Sequence, residues 1–233
     1  MLKTFLIQQG VPVTTVQASP APSAAQQRLA LIGHLNQRAS REERHTQLVK
    51  LASYIVEFEG LDALKHQRLA ELAGCGRPLI YSYFPRRSDI YIAVSEAFYQ
   101  RLDAAFSCEQ QYSGLVSGLS GDGRLSAEME ALIWDVVDEY GCGGLILRCI
   151  PELNEDFQQY QQTLISRYEY RWLRYFDALG IGDNAARLLL ENCTAITKNY
   201  ALAYGRGELD RPAAISAVLK SLAALISAEL PAR

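Results

Sequence analysis

The chain has 233 residues, 49% of them apolar and 21% charged, with a formal net charge of −3. That length can bury a substantial core, in one large domain or a small domain joined to a larger one, and the charge excludes a protein coated in positive residues. Cys75, Cys108, Cys142, Cys149 and Cys193 are odd in number and irregularly spaced, and His34, His45 and His66 are the only histidines. Neither a disulfide framework nor a metal site is therefore expected, and a reducing, cytoplasmic setting is.

At the amino terminus the apolar run of MLKTFLIQQG extends only from Phe5 to Ile7, too short for a signal peptide, and no stretch elsewhere is expected to span a membrane. Residues 1–24 read as a mobile tail and 1–39 as a flexible extension, in which 26–36 offers a short helix through Leu29, Leu31, Ile32 and Leu35. Ser40 followed by Glu43 is a capping-box signal, and Leu48, Leu51, Ala52, Ile55 and Phe58 then recur at helical spacing up to Gly60, which predicts a helix over Arg41–Glu59. A shorter helix follows from Leu64 to Ala73, ended by Gly74, and another from Arg77 to Phe84, with Pro78 tolerated in its first turn. Two short helices around a Gly-containing turn of three residues have the geometry of a helix-turn-helix, with small Ala70 permitting their close approach. Pro85 closes the second, and Ser88 is the expected cap of a long connecting helix running to about Phe106.

Charge divides along the same line. Residues 40–90 hold eight Lys/Arg against seven Asp/Glu, whereas 91–233 hold twelve against nineteen. Between Ala63 and Arg87 stand Lys65, Arg68, Arg77, Arg86 and Arg87 against one acid, Glu71, so a polyanion would be drawn to that end. Cys75 reads either as a small buried apolar group or as a thiol open to oxidation.

Gly60, LAELAGCG at 69–76, RPLIYSYF at 77–84, Arg87 and Ile90 together resemble the TetR family of bacterial transcription regulators, over about fifty residues. The resemblance implies an all-α protein: a helix-turn-helix DNA-binding domain over 40–87, then a larger helical ligand-binding and dimerisation domain over 88–233 that includes the connecting helix. It also implies that 77–84 is the recognition helix of the major groove. Arg77 and Tyr81 are then expected to face DNA, and Arg86 and Arg87 to hold its backbone. Lys65, Pro78, Leu79 and Ser82 complete the expected DNA-binding set, with Leu79 open to either thymine methyl contact or core packing. The chain departs from the family pattern at Leu64 and Gly76, where capping hydroxyls are usual, and at Pro78 and Leu79, so no operator sequence transfers from a relative.

Residues 107–125, containing SGLVSGLSGDG, are expected to connect, and helical patterns return at about 126–140, 143–150, 155–179, 184–204 and 210–230. GCGG at 141–144 lacks the spacing and the preceding strand of a phosphate-binding loop and reads as a packing turn. Trp134, Leu145, Tyr168, Trp172, Phe176 and Tyr200 are the candidate lining of a pocket for an apolar or amphipathic small-molecule effector, and equally candidates for plain core. By the resemblance, Leu189, Ile196, Val218, Leu222 and Leu225 on the last two helices are the expected homodimer contacts. The function expected is a ligand-responsive regulator, a repressor, binding a roughly palindromic double-stranded operator as a homodimer, with no cofactor and no membrane partner. A helical interaction module that has lost specific DNA binding is the alternative, and a helical enzyme a further one: Glu128, Glu130, Asp135, Asp138 and Glu139 supply acids but no nucleophile or metal constellation.

Overall fold

The computed structural model describes residues 23–36, 38–106, 127–150 and 153–229. Residues 1–22 of the expected tail, and the 107–125 connection, lie outside them. Among the described residues there is no strand, and ten α-helices follow in order: α1 Ala24–Ile32, α2 Arg41–Tyr54, α3 His66–Ala73, α4 Arg77–Tyr83, α5 Arg87–Phe106, α6 Ala127–Tyr140, α7 Gly143–Arg148, α8 Glu155–Ala178, α9 Asp183–Gly205 and α10 Arg211–Glu229.

The caps explain most boundaries. Ser40 Oγ accepts the Glu43 amide while the Glu43 carboxylate accepts the Ser40 amide, the capping box expected for α2. Ser23 and Gln26 build a second such box at α1, which starts earlier than the sequence pattern suggests and stops at Gly33. Ser88 does not cap α5. It lies inside the first turn, buried, while the Asp89 carboxylate reaches back to the Arg86 amide at 2.7 Å and does that work instead. Nor does α3 begin at Leu64: Leu61–Ala63 form a 3-10 turn that drives Leu64 fully into the core, and the helix starts at His66.

Between α2 and that turn the backbone widens into a π turn, Ile55–Glu59, ended by Gly60 at φ 87°. Within it Glu57 faces inward, 7% exposed. Its carboxylate accepts the Cys142 amide at 2.9 Å, and Ser53 Oγ accepts the Gly143 amide at 3.0 Å, so two side chains of the amino-terminal part hold the start of α7. The GCGG segment is accordingly a docking turn. A Cβ on Gly143 would lie 2.8 Å from the Ser53 Cα, and one on Gly205 would lie 2.1 Å from the Glu57 carboxylate. From α1, Arg28 donates to the Val137 and Asp138 carbonyls at the end of α6, at 2.8 and 2.7 Å.

Burial pushes the Glu57 carboxyl above its usual range, against the Cys142 amide and the Arg28 and Arg206 charges, which pull it down. A carboxyl raised by folding contributes stability that is fully present below its unfolded pKa and is lost as pH rises through its folded one. Glu57→Gln keeps an acceptor for the Cys142 amide without that loss. The melting temperature of Glu57→Gln should therefore gain on the wild type as pH is raised from 4 to 8. A gap constant with pH would show that Glu57 is not the titrating group.

Two apolar clusters share α5. Its first half places Ile90, Tyr91 and Val94 among Leu48, Leu51, Ile55, Leu69, Ile80 and Phe84, with Leu147 and Phe157 joining from α7 and α8. Its second half gives Phe98, Tyr99 and Leu102 to the cluster built around Trp134, Phe176, Leu190 and Val218. One rigid helix is thus rooted in both.

The last two helices correct part of the expected dimer set. Leu189, Val218 and Leu222 are buried in the subunit's own core, because that stripe of α9 and α10 faces the carboxy-terminal apolar cluster and not solvent. Ile196 and Leu225 are only half-buried, and Leu188, not among the expected contacts, is 62% exposed. In α10, moreover, small and apolar residues occupy every face. Contrary to expectation, this helix is long and apolar enough to cross a membrane by length and composition. Its stripe of Ala214, Val218, Leu222 and Ile226 is nevertheless built into the bundle core, which is the behaviour of a packing helix.

Candidate nucleic-acid interface

α3 ends in a Schellman motif: Gly74 is left-handed at φ 65°, the Cys75 amide returns to the Ala70 carbonyl at 3.0 Å, and the Gly74 amide to that of Glu71 at 3.2 Å. The chain reverses over three residues and enters α4 at Gly76, whose β-region φ of −76° needs no left-handed freedom and which caps without a side chain. Leu69, Ala70 and Ala73 of α3 pack against Ile80 and Phe84. The opposite side of α4, carrying Arg77, Pro78, Tyr81 and Ser82, is exposed, with Leu79 half-buried at its edge. Arg77 and Tyr81 are one turn apart, as are Pro78 and Ser82, so the four form one continuous outward face.

The basic cluster looks different in three dimensions. Arg68 grips Glu59 through two bonds of 2.6 and 2.7 Å, and this partner holds its guanidinium firmly charged but locally neutralised. Arg86 pairs with Asp89 at 2.8 Å and with Asp156, from the first turn of α8, at 2.5 Å. Arg87 donates to the Leu64 and Leu61 carbonyls, both at 2.7 Å, and lies over the Tyr91 ring. Beside the expected phosphate contact, Arg87 thus has a structural role: its guanidinium ties the 3-10 turn to α5. Arg86 remains exposed but already faces two acids. Lys65 and Arg77, both exposed and without an acidic partner among the described residues, are the unspent cations of the expected set.

Sequence reasoning missed two supports of this face. Arg41, in the first turn of α2, donates to the Ser82 carbonyl at 3.3 Å and sits over the Tyr83 ring. His66 stacks on Tyr81, and its Nε2 lies 2.8 Å from the Phe84 carbonyl. No local pattern announces either, since the contacts span 41 and 18 residues. His45 packs beside Tyr83 and Phe84, where burial pushes its imidazole pKa down and favours the neutral ring. Burial pushes the Cys75 thiol up, which favours the small apolar role over a reactive thiolate.

Of the candidate effector residues, Trp134, Phe176 and Leu145 are buried in the carboxy-terminal core, Trp172 and Tyr200 are half-buried at its margin, and the Tyr168 side chain lies outside the described residues. Leu145 and Trp172 meet at a cavity of about 20 Å³, which Ile133, Leu190, Cys193 and Thr197 also line. Tyr200 Oη instead pairs with Ser221 Oγ at 3.4 Å. A cavity of that size admits about one water, whereas ligand sites run to roughly 300–1,000 Å³. Among the described residues, Trp134 Nε1 and Tyr175 Oη of this core are buried without a hydrogen-bond partner. Burial, with Cys193 alongside, pushes the Tyr175 hydroxyl up to about 12, so it is a donor at neutral pH.

No family model matches the chain, and no curated protein matches it. Among solved structures, a tetR-family transcriptional regulator from Streptomyces coelicolor is similar to it at 19% identity and a TM-score of 0.47, over 83% of this chain and 92% of that one. At that level of similarity the reading of the site rests on its own geometry.

Proposed function

We propose that the chain is a sequence-specific DNA-binding transcription regulator of the kind its helix-turn-helix resembles, acting in the cytoplasm as a homodimer. The observation that carries this is the outward face of α4, where Arg77, Pro78, Tyr81 and Ser82 stand exposed on a helix whose other side is anchored by Ile80 and Phe84. Arg77 offers the forked donor set that reads guanine, and Lys65 a phosphate contact at the start of α3. Repression follows by competition with RNA polymerase for a promoter. Selection of bound fragments from a genomic DNA library, followed by titration of the winner against scrambled DNA at several salt concentrations, tests it. Sequence preference retained at high salt supports the regulator, and equal binding to all DNA that vanishes with salt rejects it.

An apolar or amphipathic effector is proposed for the carboxy-terminal core, with an acceptor to meet Trp134 Nε1 or Tyr175 Oη. The cavity between Leu145 and Trp172 measures only about 20 Å³, so a ligand seated there binds by selecting an expanded arrangement of the helices around it. α5 is rooted in both cores, and α7 is held by Ser53 and Glu57, so that expansion displaces the recognition helices of a dimer from operator spacing.

For the dimer we propose the outer face of α9 and α10, with Leu188, Ile196, Leu225 and the small residues Ala213, Ala217 and Ala224. The apolar window of α10 is only 22% buried in the subunit, which leaves that face to be covered. Leu188→Glu should convert the dimer to a monomer by light scattering at micromolar concentration, and weaken operator binding at least tenfold. A dimer unaffected by Leu188→Glu would place the interface elsewhere.

The reading as an interaction module without DNA specificity has one observation in its favour, the commitment of Arg68, Arg86 and Arg87 to partners within the chain. The same selection experiment separates it.

A further inference from the structure

We infer that His66 is a positioning residue for DNA recognition, holding Tyr81 in a single orientation on the outward face of α4; this rests on the DNA-binding reading above. Tyr81 is 50% exposed, and its hydroxyl has no partner among the described residues. An aromatic side chain in that situation samples several rotamers and loses that freedom when it meets a ligand, which costs affinity. Here one face of the ring is already occupied: the His66 ring lies parallel to it, with an interplanar angle of 12° and centroids 4.3 Å apart.

His66 is itself fixed at a second point. Its Nε2 lies 2.8 Å from the Phe84 carbonyl, the residue that ends α4. A carbonyl only accepts, so Nε2 carries the hydrogen. The first residue of α3 thus grips α4 twice, by a stack at Tyr81 and by a bond three residues further on. Phe84 cannot move away, since its side chain is 1% exposed in the core. The imidazole is therefore a wall set at a fixed height, and Tyr81 leans on it with its hydroxyl free for an acceptor on DNA, a phosphate or a base edge. Pre-ordering one such side chain is worth roughly two- to tenfold in affinity.

The test is a double-mutant cycle on the operator recovered by library selection. Tyr81→Phe, which removes only the hydroxyl, should weaken operator binding in the wild type by roughly two- to tenfold. In a His66→Ala background it should have no further effect, because an unsupported ring no longer aims the hydroxyl. His66→Phe restores the ring and not the bond to Phe84, so it should recover operator discrimination in part while its melting temperature stays as low as that of His66→Ala. A merely structural histidine would give the opposite pattern, with discrimination tracking stability across the three variants. Independent multiplication of the His66→Ala and Tyr81→Phe effects overturns the inference. In the free protein, the His66 ring proton resonances should shift on Tyr81→Ala, and unmoved resonances overturn it without any DNA. If the wild type selects no sequence, the DNA-binding reading falls and takes the inference with it. If Arg77→Ala loses preference while the two effects simply multiply, the inference alone falls.

Discussion

Gly143→Ala is expected to destabilise the protein by about 2 kcal/mol or more, although alanine is ordinarily the better helix residue. At the first position of α7 the gain in helix propensity is at most about 1 kcal/mol. Against it, the new Cβ meets the Ser53 Cα at 2.8 Å, and a backbone atom of a buried helix cannot step aside as the tip of a side chain can. Overpacking of this kind costs about 1–3 kcal/mol. Parting α2 from α7 also strains the bonds from the Gly143 and Cys142 amides to Ser53 and Glu57, and a buried amide left alone costs about 1–3 kcal/mol. Gly182→Ser provides the contrast. Gly182 caps α9 at φ −68°, nothing would lie within 4 Å of a new Cβ, and serine is the preferred cap, so this change should stabilise by a few tenths of a kcal/mol. Chemical denaturation of the two variants beside the wild type measures both. A neutral Gly143→Ala would mean that α7 rides loosely on α2.

Arg77→Ala should cost about 1–3 kcal/mol of operator affinity, which is roughly 5- to 150-fold, relax the preference at one base pair, and leave thermal stability unchanged. The guanidinium has no partner to lose among the described residues and stands on the exposed side of α4. Arg87→Ala should show the reverse. It takes the guanidinium donor from the Leu64 carbonyl, leaves the Leu61 carbonyl to the Leu64 amide, and frees the 3-10 turn that buries Leu64, so stability falls by about 1–3 kcal/mol. Any loss of DNA binding should then disappear at temperatures where the variant is still folded. Melting curves and operator titrations on the same two preparations decide it. If Arg87→Ala instead lowered affinity at full stability, its guanidinium would have to leave the carbonyls to meet DNA.

Both predictions depend on features that differ in how far the sequence displays them. Ser40 with Glu43, Gly74 and Pro78 are legible because caps and turns are settled within four residues by local sterics and amide satisfaction. Their consequence, a helix-turn-helix with Ala70 at the close approach, follows directly. The basic cluster misleads because net charge over a window ignores partners that arrive from elsewhere: Asp156 reaches Arg86 across 70 residues of chain, and the carbonyls that hold Arg87 belong to no residue type at all. The phase of the final helices misleads for another reason. With small and apolar residues on every side of α10, periodicity does not say which stripe faces inward, so Val218 and Leu222 pass for surface contacts, and on α9 Leu189 is chosen over its exposed neighbour Leu188. Trp134, Leu145, Trp172, Phe176 and Tyr200 share one core, but the free space between such residues is set by how their side chains pack, and no sequence pattern reports a void.

The π turn at Ile55–Glu59 can be viewed as a single residue spliced into an otherwise ordinary helix. Excising that residue would regularise the backbone hydrogen bonding and improve the helix taken alone. It would also turn everything downstream by about 100°, the angle that each residue adds to an α-helix. Glu57 would rotate out of its contact with Cys142, and the outward face of α4 would swing with it. The helix's own preference and the assembled protein's are in opposition over this one residue, and the assembly prevails, so insertions and deletions here are read as changes of aim more than as changes of length.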